Sequence, residues 1–120
     1  MAGRMEIIRA AHRIAEKGLA PGSSGNLSLR IDHHRFLITR RGVALADLTL
    51  DDIVEMDTDG GVSGEKTPSS EWRLHAEIYR ETRSGAVLHC HPPHIITVTM
   101  EGERWIPLTR EAVFHFPEVC

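Results

Sequence analysis

The sequence predicts a layered domain of the α/β or α+β class, with helices packed on a mixed sheet. Its 120 residues are enough for one domain with a modest core. The first segment carries apolar residues at helical spacing, and the segments after it alternate apolar and polar residues as strands do. Helical and strand patterns then alternate towards the C-terminus. This order of helix, antiparallel strands, helix, strand and helix is typical of a layered fold.

The N-terminal part predicts one helix and a first pair of strands. Gly18 suits the C-cap of a helix at 5–17, and the glycines and serines of 18–25 predict a loop that allows positive φ and close backbone approach. A strand is expected at 26–30, where two leucines alternate with polar residues, and its partner at 36–39 after a short polar turn. The apolar face of the helix consists of Ile7, Ile8, Ala11, Ile14 and Ala15.

The middle of the chain predicts an irregular connection and a hairpin. Residues 42–51 form the connection, and a further strand is expected at 53–57. The Asp-Thr-Asp-Gly-Gly sequence at 57–61 is typical of a hairpin turn, here leading into Val62. Three leucines of the connection are expected to point inward: Leu45, Leu48 and Leu50.

The C-terminal half predicts a second helix, a buried strand and further short elements. Pro68 and the two serines after it suit the start of a helix at 69–83. Its apolar positions are Trp72, Leu74, Ala76, Ile78 and Tyr79. A buried strand is expected at 86–91. The remaining expectations are a helix at 93–100, a turn at 101–103, a strand at 105–108 and a short helix at 110–116.

Glu71, His89 and His91 form the pattern with the most chemical content. Side chains at i and i+2 of a strand project from one face, so an extended segment up to His91 would place both imidazoles on one side. Two prolines follow and end the strand, at a point where ligands usually meet solvent. Two imidazoles are two-thirds of the protein ligands of a catalytic zinc. Glu71 is expected in the first turn of its helix, beside the positive end.

Each of these features also has a purely structural interpretation. A His-x-His on a strand is more often unrelated to metal, a glutamate at a helix start can act on the helix dipole alone, and glycine-serine loops are common connections. The combination is stronger evidence for a functional site than any single feature. A carboxylate, two imidazoles and two small-residue loops could together hold a divalent ion, bind an anion and move a proton. Of the eight histidines, four are expected on polar surfaces or a helix face and mostly solvated, and two have no assigned role. The first four are His12, His33, His34 and His75, and the other two are His94 and His115.

Composition and charge exclude several function classes. The net charge is −3, with 14 basic and 17 acidic residues interspersed, so nucleic acid and anionic membranes are not expected partners. No apolar run reaches the roughly 20 residues of a membrane span, and the N-terminus lacks a signal peptide's apolar stretch. The two cysteines, Cys90 and Cys120, give no disulfide framework. We therefore expect a soluble, cytoplasmic protein.

Four short motifs follow one another along the chain. They are Gly-Ser-Ser-Gly-Asn-Leu-Ser at 22–28, Leu-Ile-Thr at 37–39, Lys-Thr-Pro-Ser-Ser-Glu-Trp-Arg at 66–73 and His-Cys-His at 89–91. In this order they resemble the class II aldolase and adducin head-domain family, most of all its L-fuculose-phosphate aldolase branch. The resemblance implies a three-layer αβα fold around a mixed, largely antiparallel sheet, and a homo-oligomer, commonly a tetramer, with active sites between subunits. Residues 1–120 would be the N-terminal portion of that domain, truncated at its C-terminal side.

The resemblance also implies roles for individual residues. Glu71 would be the catalytic acid and base, and His89 and His91 would bind zinc. The third zinc histidine of the family would lie beyond Cys120. Where the family has a hydroxyl-bearing residue that contacts phosphate, this chain has Arg41, whose guanidinium can also bind phosphate or carboxylate. The expected phosphate and substrate positions are Gly25, Asn26, Arg41, Gly42, Ser69 and Ser70.

The implied activity is that of a zinc-dependent or other divalent-metal-dependent aldolase. Its substrate would be a sugar phosphate such as L-fuculose 1-phosphate, cleaved to dihydroxyacetone phosphate and an aldehyde. Two alternatives stay open. One is a dehydratase or epimerase of the same family, such as the methylthioribulose-phosphate dehydratase branch. The other is a non-catalytic interaction domain like the adducin head, against which the retention of Glu71, His89 and His91 argues.

Overall fold

The computed structural model describes residues 2–102, and the chain divides into two units, Met1–Cys90 and His91–Cys120. The helices of the first unit are α1 (Ala2–Glu16) and α2 (Trp72–Glu81), and its strands are β1 (Asn26–Arg30), β2 (Arg35–Thr39), β3 (Ile53–Asp57), β4 (Val62–Ser63) and β5 (Ala86–His89). The second unit contains α3 (Pro93–Glu101). Among residues 2–102, no helix is both long and apolar enough to cross a membrane. The elements predicted at 105–108 and 110–116, and the end of the turn at 101–103, lie outside the described residues.

The five strands form one sheet in the order β4-β3-β2-β1-β5, and each described pairing is antiparallel. The strands predicted at 26–30 and 53–57 are confirmed, and β2 begins one residue before the prediction. The hairpin at 57–61 is also confirmed. Its turn is held by the Asp57 carboxylate, which accepts from the backbone N–H groups of Asp59 (2.8 Å) and Gly61 (2.9 Å).

The two helices of the first unit cover opposite faces of the sheet. Side chains alternate between the faces along each strand, so two separate apolar clusters form. The α1 cluster contains Ile7, Ile8 and Ala11 of the helix with Ala20, Leu27, Leu37, Leu45, Leu48 and Ile53. The α2 cluster contains Ala76 and Tyr79 of the helix with Phe36, Ile38, Val54, Met56 and Val87. Helix, sheet and helix are the three layers expected from the resemblance.

Helix α1 ends one residue before the prediction, at Glu16, and starts three residues earlier than predicted. Gly18 has φ +69°, and its N–H donates to the carbonyl of Ala15 (3.0 Å). Only a residue that tolerates positive φ adopts this C-cap conformation without strain. The start at Ala2 was missed because residues 2–4 carry no apolar pattern. Tertiary contacts hold this first turn instead, since the Arg4 guanidinium donates to the carbonyl of Ile53 (2.5 Å).

Two leucines are exposed, and one of them, Leu50, was predicted to point inward. In the connection, Leu45 and Leu48 are buried, whereas Leu50 is 36% exposed. Asp52 takes the inward position of that turn, because its carboxylate accepts from the backbone and hydroxyl of Thr49 and from Arg40. On α2, Leu74 is 43% exposed. The helix has its inward face at positions 72, 75, 76 and 79, so position 74 points outward.

Strand β5 is shorter and more exposed than the predicted buried strand at 86–91. It ends at His89, the residue paired with Asn26 at the start of β1, so the ladder with β1 offers no partner further along. Only Val87 of the strand is buried, and Leu88 is 46% exposed. In the described part of the chain β5 is the last strand of the sheet, which explains its exposure. The helix predicted at 93–100 is confirmed as α3.

Candidate active site at one end of the sheet

The antiparallel pairing brings most of the expected site residues to one end of the sheet. β1 starts where its neighbours β2 and β5 end. Gly25 and Asn26 therefore lie at the same end as Arg41, which follows β2, and His89, which closes β5. Asn26 and His89 are direct partners across the two strands. An expected anion-binding residue and an expected metal ligand are thus neighbours in the sheet.

The segment before α2 is fastened to the same end of the sheet. Pro68 forms an isolated antiparallel bridge with Arg40, and the N–H of Ser69 donates to the carbonyl of Thr39 (2.9 Å). The prediction that Pro68 starts the helix was therefore wrong. Its segment pairs in an extended conformation, and α2 begins at Trp72. This pairing places Ser69, and Ser70 after it, beside the end of β2.

Glu71 occupies the N-cap position of α2 with φ −90° and ψ 11°, one residue outside the first turn in which it was expected. Its N–H donates to the hydroxyl of Ser69 (3.2 Å), and its carbonyl accepts from the N–H of Leu74 (3.0 Å). The residue is exposed. Glu71 is therefore exposed to solvent at the positive end of α2, beside the end of β2.

The glycine of the Gly-Asn pair is required by packing. Gly25 is buried, and a Cβ at this position would lie 2.7 Å from Cδ1 of Leu45 and 2.8 Å from the Cβ of Ala20. The positive φ expected in this loop occurs at Gly22 (φ +61°), and the close backbone approach occurs at Gly25. Both properties expected of the loop are therefore present, at different glycines.

Arg41 lies in a cationic pocket beside this end of the sheet. The pocket has a volume of about 460 Å³ and is lined by Arg40, Arg41, Glu65, Lys66 and Thr67. The guanidinium of Arg40 is paired with the Asp52 carboxylate (2.8 Å). Arg41 is anchored through its backbone N–H, which donates to the carbonyl of Thr67 (3.0 Å), and it is exposed together with Gly42. An exposed guanidinium on an anchored backbone suits a phosphate or carboxylate.

A buried polar chain leads from the core to Asn26. The Ser28 hydroxyl lies 2.6 Å from Nδ1 of His75 and 2.6 Å from the hydroxyl of Tyr79. Nε2 of His75 lies 2.5 Å from Oδ1 of Asn26. Burial, with a smaller contribution from His89, lowers the pKa of His75 to about 4, and burial raises the pKa of Tyr79.

The prediction that His75 is solvated was therefore wrong, because its side chain is completely buried. The signal was present in the sequence. His75 stands three residues after Trp72 and four before Tyr79, on the inward helical stripe. A polar residue on such a stripe was assigned to the surface when it belonged to the core. His12, also expected in solvent, is half-buried and bonded through Nε2 to the carbonyl of Leu48 (3.1 Å), whereas His33 and His34 are exposed as expected.

The two histidines of the expected metal pair are not on one strand. His89 closes β5 and is half-buried, whereas His91 begins the second unit and is exposed. The premise that strand alternation places both imidazoles on one face was therefore wrong. Imidazole nitrogens are ordinary zinc ligands, so the donor chemistry of both residues suits zinc. Within residues 2–102, no group of three His, Cys, Asp or Glu side chains is arranged to hold a metal ion.

Comparison with known proteins gives a consistent family result. The family described as Class II Aldolase and Adducin N-terminal domain matches residues 5–119. A 5-methylthioribulose-1-phosphate/5-deoxyribulose-1-phosphate aldolase from Rhodospirillum rubrum is 44% identical over 114 residues, which are 94% of this chain and 48% of that protein. A methylthioribulose-1-phosphate dehydratase from Yersinia enterocolitica is 38% identical over 111 residues, or 91% of this chain and 50% of that protein.

The fold comparison agrees. The crystal structure of L-fuculose-1-phosphate aldolase from Thermus thermophilus superposes with a TM-score of 0.83 at 31% identity, covering 98% of this chain and 61% of that one. The chain spans about half the length of the curated relatives that it matches. Further methylthioribulose-1-phosphate dehydratases are 39–43% identical over 71–72% of this chain.

Proposed function

The chain belongs to the class II aldolase and adducin N-terminal domain family, and on that premise we propose that the protein is a lyase acting on a 1-phosphorylated 2-ketose of the 5-methylthioribulose type. The dehydratase alternative has better support than the L-fuculose-type aldolase expected first, because methylthioribulose-1-phosphate dehydratases recur among the sequence relatives. The observation that carries the proposal is structural. One end of the sheet brings together Asn26, Ser69, Glu71 and His89. A reaction that binds a phosphate and moves a proton needs an anion-binding site and a proton acceptor close together.

The substrate phosphate would be held by the buried edge of this end of the sheet. Asn26 and Ser69 supply an amide and a hydroxyl, and Gly25 allows its backbone to approach closely. Arg41 and Ser70 supply an exposed guanidinium and hydroxyl. Binding the dianion at this edge positions the carbon chain of the ketose relative to Glu71, which is how a phosphate contributes to rate without reacting.

Glu71 would move the proton. In dehydration its carboxylate takes the hydrogen from C3, the carbon next to the carbonyl, and the hydroxyl at C4 leaves with the proton that Glu71 returns. The products are water and an enol, which becomes the 2,3-diketone. The proposed ligands His89 and His91 would hold zinc, which when bound supplies Lewis-acid polarisation of substrate oxygens. Self-association through this family's interfaces is part of the same proposal.

Aldol cleavage of the same substrate is the second candidate, favoured by the Rhodospirillum rubrum relative. In that reaction the base takes the proton of the C4 hydroxyl, and the bond between C3 and C4 breaks as C4 becomes the aldehyde carbon. The electron pair left on C3 takes up a proton, which gives dihydroxyacetone phosphate. The two reactions therefore need the same anion site and the same carboxylate. They differ in which proton Glu71 removes.

Product analysis separates the candidates. Purified protein loaded with zinc is incubated with 5-methylthioribulose 1-phosphate, and the products are identified by mass spectrometry. Dehydration gives one phosphorylated product that has lost water, whereas cleavage gives dihydroxyacetone phosphate and a thioether aldehyde. L-Fuculose 1-phosphate serves as the comparison substrate. Turnover of that sugar in preference to methylthioribulose 1-phosphate, or of neither, would contradict the proposal.

A further inference from the structure

The buried chain Tyr79–Ser28–His75–Asn26 has only one proton arrangement that uses every group. His75 is completely buried, and its two ring nitrogens face the neutral groups of Ser28 and Asn26. A charged imidazole in such surroundings is unfavourable, so the ring carries one proton at neutral pH. One nitrogen therefore donates and the other accepts. Which of them donates follows from the far end of the chain.

Tyr79 fixes the direction. Its oxygen lies 2.6 Å from the Ser28 hydroxyl, and the backbone of Val87 is its other polar neighbour. If Ser28 donated to Tyr79, the phenol proton would have no acceptor among the described residues. Tyr79 therefore donates to Ser28, and Ser28 donates its single proton to Nδ1 of His75. Nε2 then carries the ring proton and donates to Oδ1 of Asn26.

This direction leaves the amide of Asn26 in a defined orientation. Its carbonyl oxygen is held by His75, so its NH₂ group is not used by the core network and remains able to donate elsewhere. Asn26 is also the first residue of β1 and lies opposite His89 in the sheet. An amide whose oxygen is already hydrogen-bonded presents only N–H donors to a ligand, which suits an anion and not a cation.

We propose that His75 is a positioning residue that fixes the Asn26 amide with its NH₂ group directed to an anionic group of the substrate, an inference that rests on the proposed function. Stability alone does not explain the arrangement. Ser28, His75 and Tyr79 stand among the apolar side chains of the α2 cluster, where replacing hydrogen-bonded partners by apolar groups of the same shape can be nearly neutral or stabilising. The network instead defines one orientation for one side chain at the site.

The tautomer of His75 is the direct test, and it is observed in the wild-type protein. The imidazole nitrogens of protein labelled with ¹⁵N-histidine are observed by NMR, and the His75 signals are assigned by their loss in His75→Gln. We expect protonation at Nε2 and an unprotonated Nδ1 at pH 7. Protonation at Nδ1 would reverse the chain, turn the Asn26 amide round and overturn the inference.

Binding of inorganic phosphate tests the consequence for a ligand. Calorimetric titration should show affinity at least about tenfold weaker in His75→Leu, because one hydrogen bond to a charged group is lost. His75→Gln keeps an amide that can donate to Oδ1 of Asn26 and should retain most of the affinity. Ile38→Val, in the same buried cluster, is the matched control for general destabilisation and should bind as wild type does.

The outcomes distinguish this inference from the proposed function. A folded His75→Leu that binds phosphate as well as wild type, or a wild type that does not bind phosphate, would refute the positioning role. Phosphate binding that depends on His75, together with no turnover of methylthioribulose 1-phosphate, would refute only the proposed substrate. With active enzyme, His75→Leu should raise KM for the phosphorylated substrate more than it lowers kcat.

Discussion

Acidification should destabilise this protein through His75 more than through any surface histidine. Folding lowers the pKa of His75 from its ordinary value of 6.5 to about 4, mainly because the ring is buried. Between these values the unfolded chain binds a proton at this position and the folded chain does not, so the free energy of unfolding falls as pH falls. Above pH 6.5 the free energy of unfolding is not reduced through His75, and the reduction grows progressively as pH falls towards 4.

The magnitude follows from the two pKa values. When the pH falls from 7.5 to 5, proton binding stabilises the unfolded state by about 2 kcal/mol relative to the folded state. The largest value of this difference, reached at lower pH, is about 3 kcal/mol. A loss of about 2 kcal/mol is a large part of the stability of a domain of this size. Carboxylates with lowered pKa values, such as Asp52, lose their contribution mainly below this range.

Urea denaturation at pH 7.5, 6 and 5, with a chelator present so that metal binding does not contribute, measures this loss. His75→Gln is the control, because it retains hydrogen-bonding capacity and cannot titrate. Its free energy of unfolding should change by about 2 kcal/mol less than that of wild type over the same pH range. Equal losses in the two proteins would refute the assignment of His75 as a buried neutral group, whatever the absolute stability of the variant.

Substitutions at Glu71, at the two histidines and at Gly25 test other parts of the site. Glu71→Gln keeps the size of the side chain but removes the proton acceptor, so kcat should fall by roughly 10²–10⁴. Metal analysis should show unchanged zinc content. A near-normal rate would show that another residue is the catalytic acid and base. His89→Ala and His91→Ala should each weaken zinc binding by at least about tenfold, since losing a ligand costs more than losing one of its supporting partners. Competition with a chelator measures the affinity. Full zinc content in the double variant would exclude these two histidines as the metal ligands. Gly25→Ala should lower the free energy of unfolding by about 1–3 kcal/mol because the new Cβ meets buried side chains, whereas Gly85→Ala, where a Cβ meets nothing within 4 Å, is the control and should lose much less.

Elements with strong local patterns could be predicted from the sequence, whereas a helix start that depends on tertiary pairing could not. The alternation in β1 and β3 and the Asp-Gly-Gly turn after β3 are encoded locally, so their positions were correct. The start of α2 depends on pairing of Pro68 with Arg40, which are far apart in sequence. Proline and serine suit both a helix start and an extended segment, and only the tertiary pairing decides between them.

The site shows the same division between local and long-range information. The expected roles of Glu71 and Asn26 came from motif resemblance, and they remain predictions. Their placement at one end of the sheet follows from strand order and register, which no local pattern reveals. His75 was missed for a different reason. Its burial depends on Ser28 and Asn26, 47 and 49 residues away, which satisfy both ring nitrogens and make an inward histidine acceptable.

The register between β1 and β5 sets the distance between two residues of the proposed site. Asn26 and His89 are paired across neighbouring strands, so their Cα atoms are held roughly 4.5–5.5 Å apart by the backbone ladder. A slip of one residue would turn every side chain of β5 to the opposite face, and the packing of Val87 in the α2 cluster opposes such a slip. The spacing between the proposed anion and histidine positions is thus fixed by the sheet. Glu71, in contrast, stands at a helix start reached through a loop. Its segment also carries Ser69 and Ser70, so in the proposed site a shift of the carboxylate would shift the phosphate-binding hydroxyls with it.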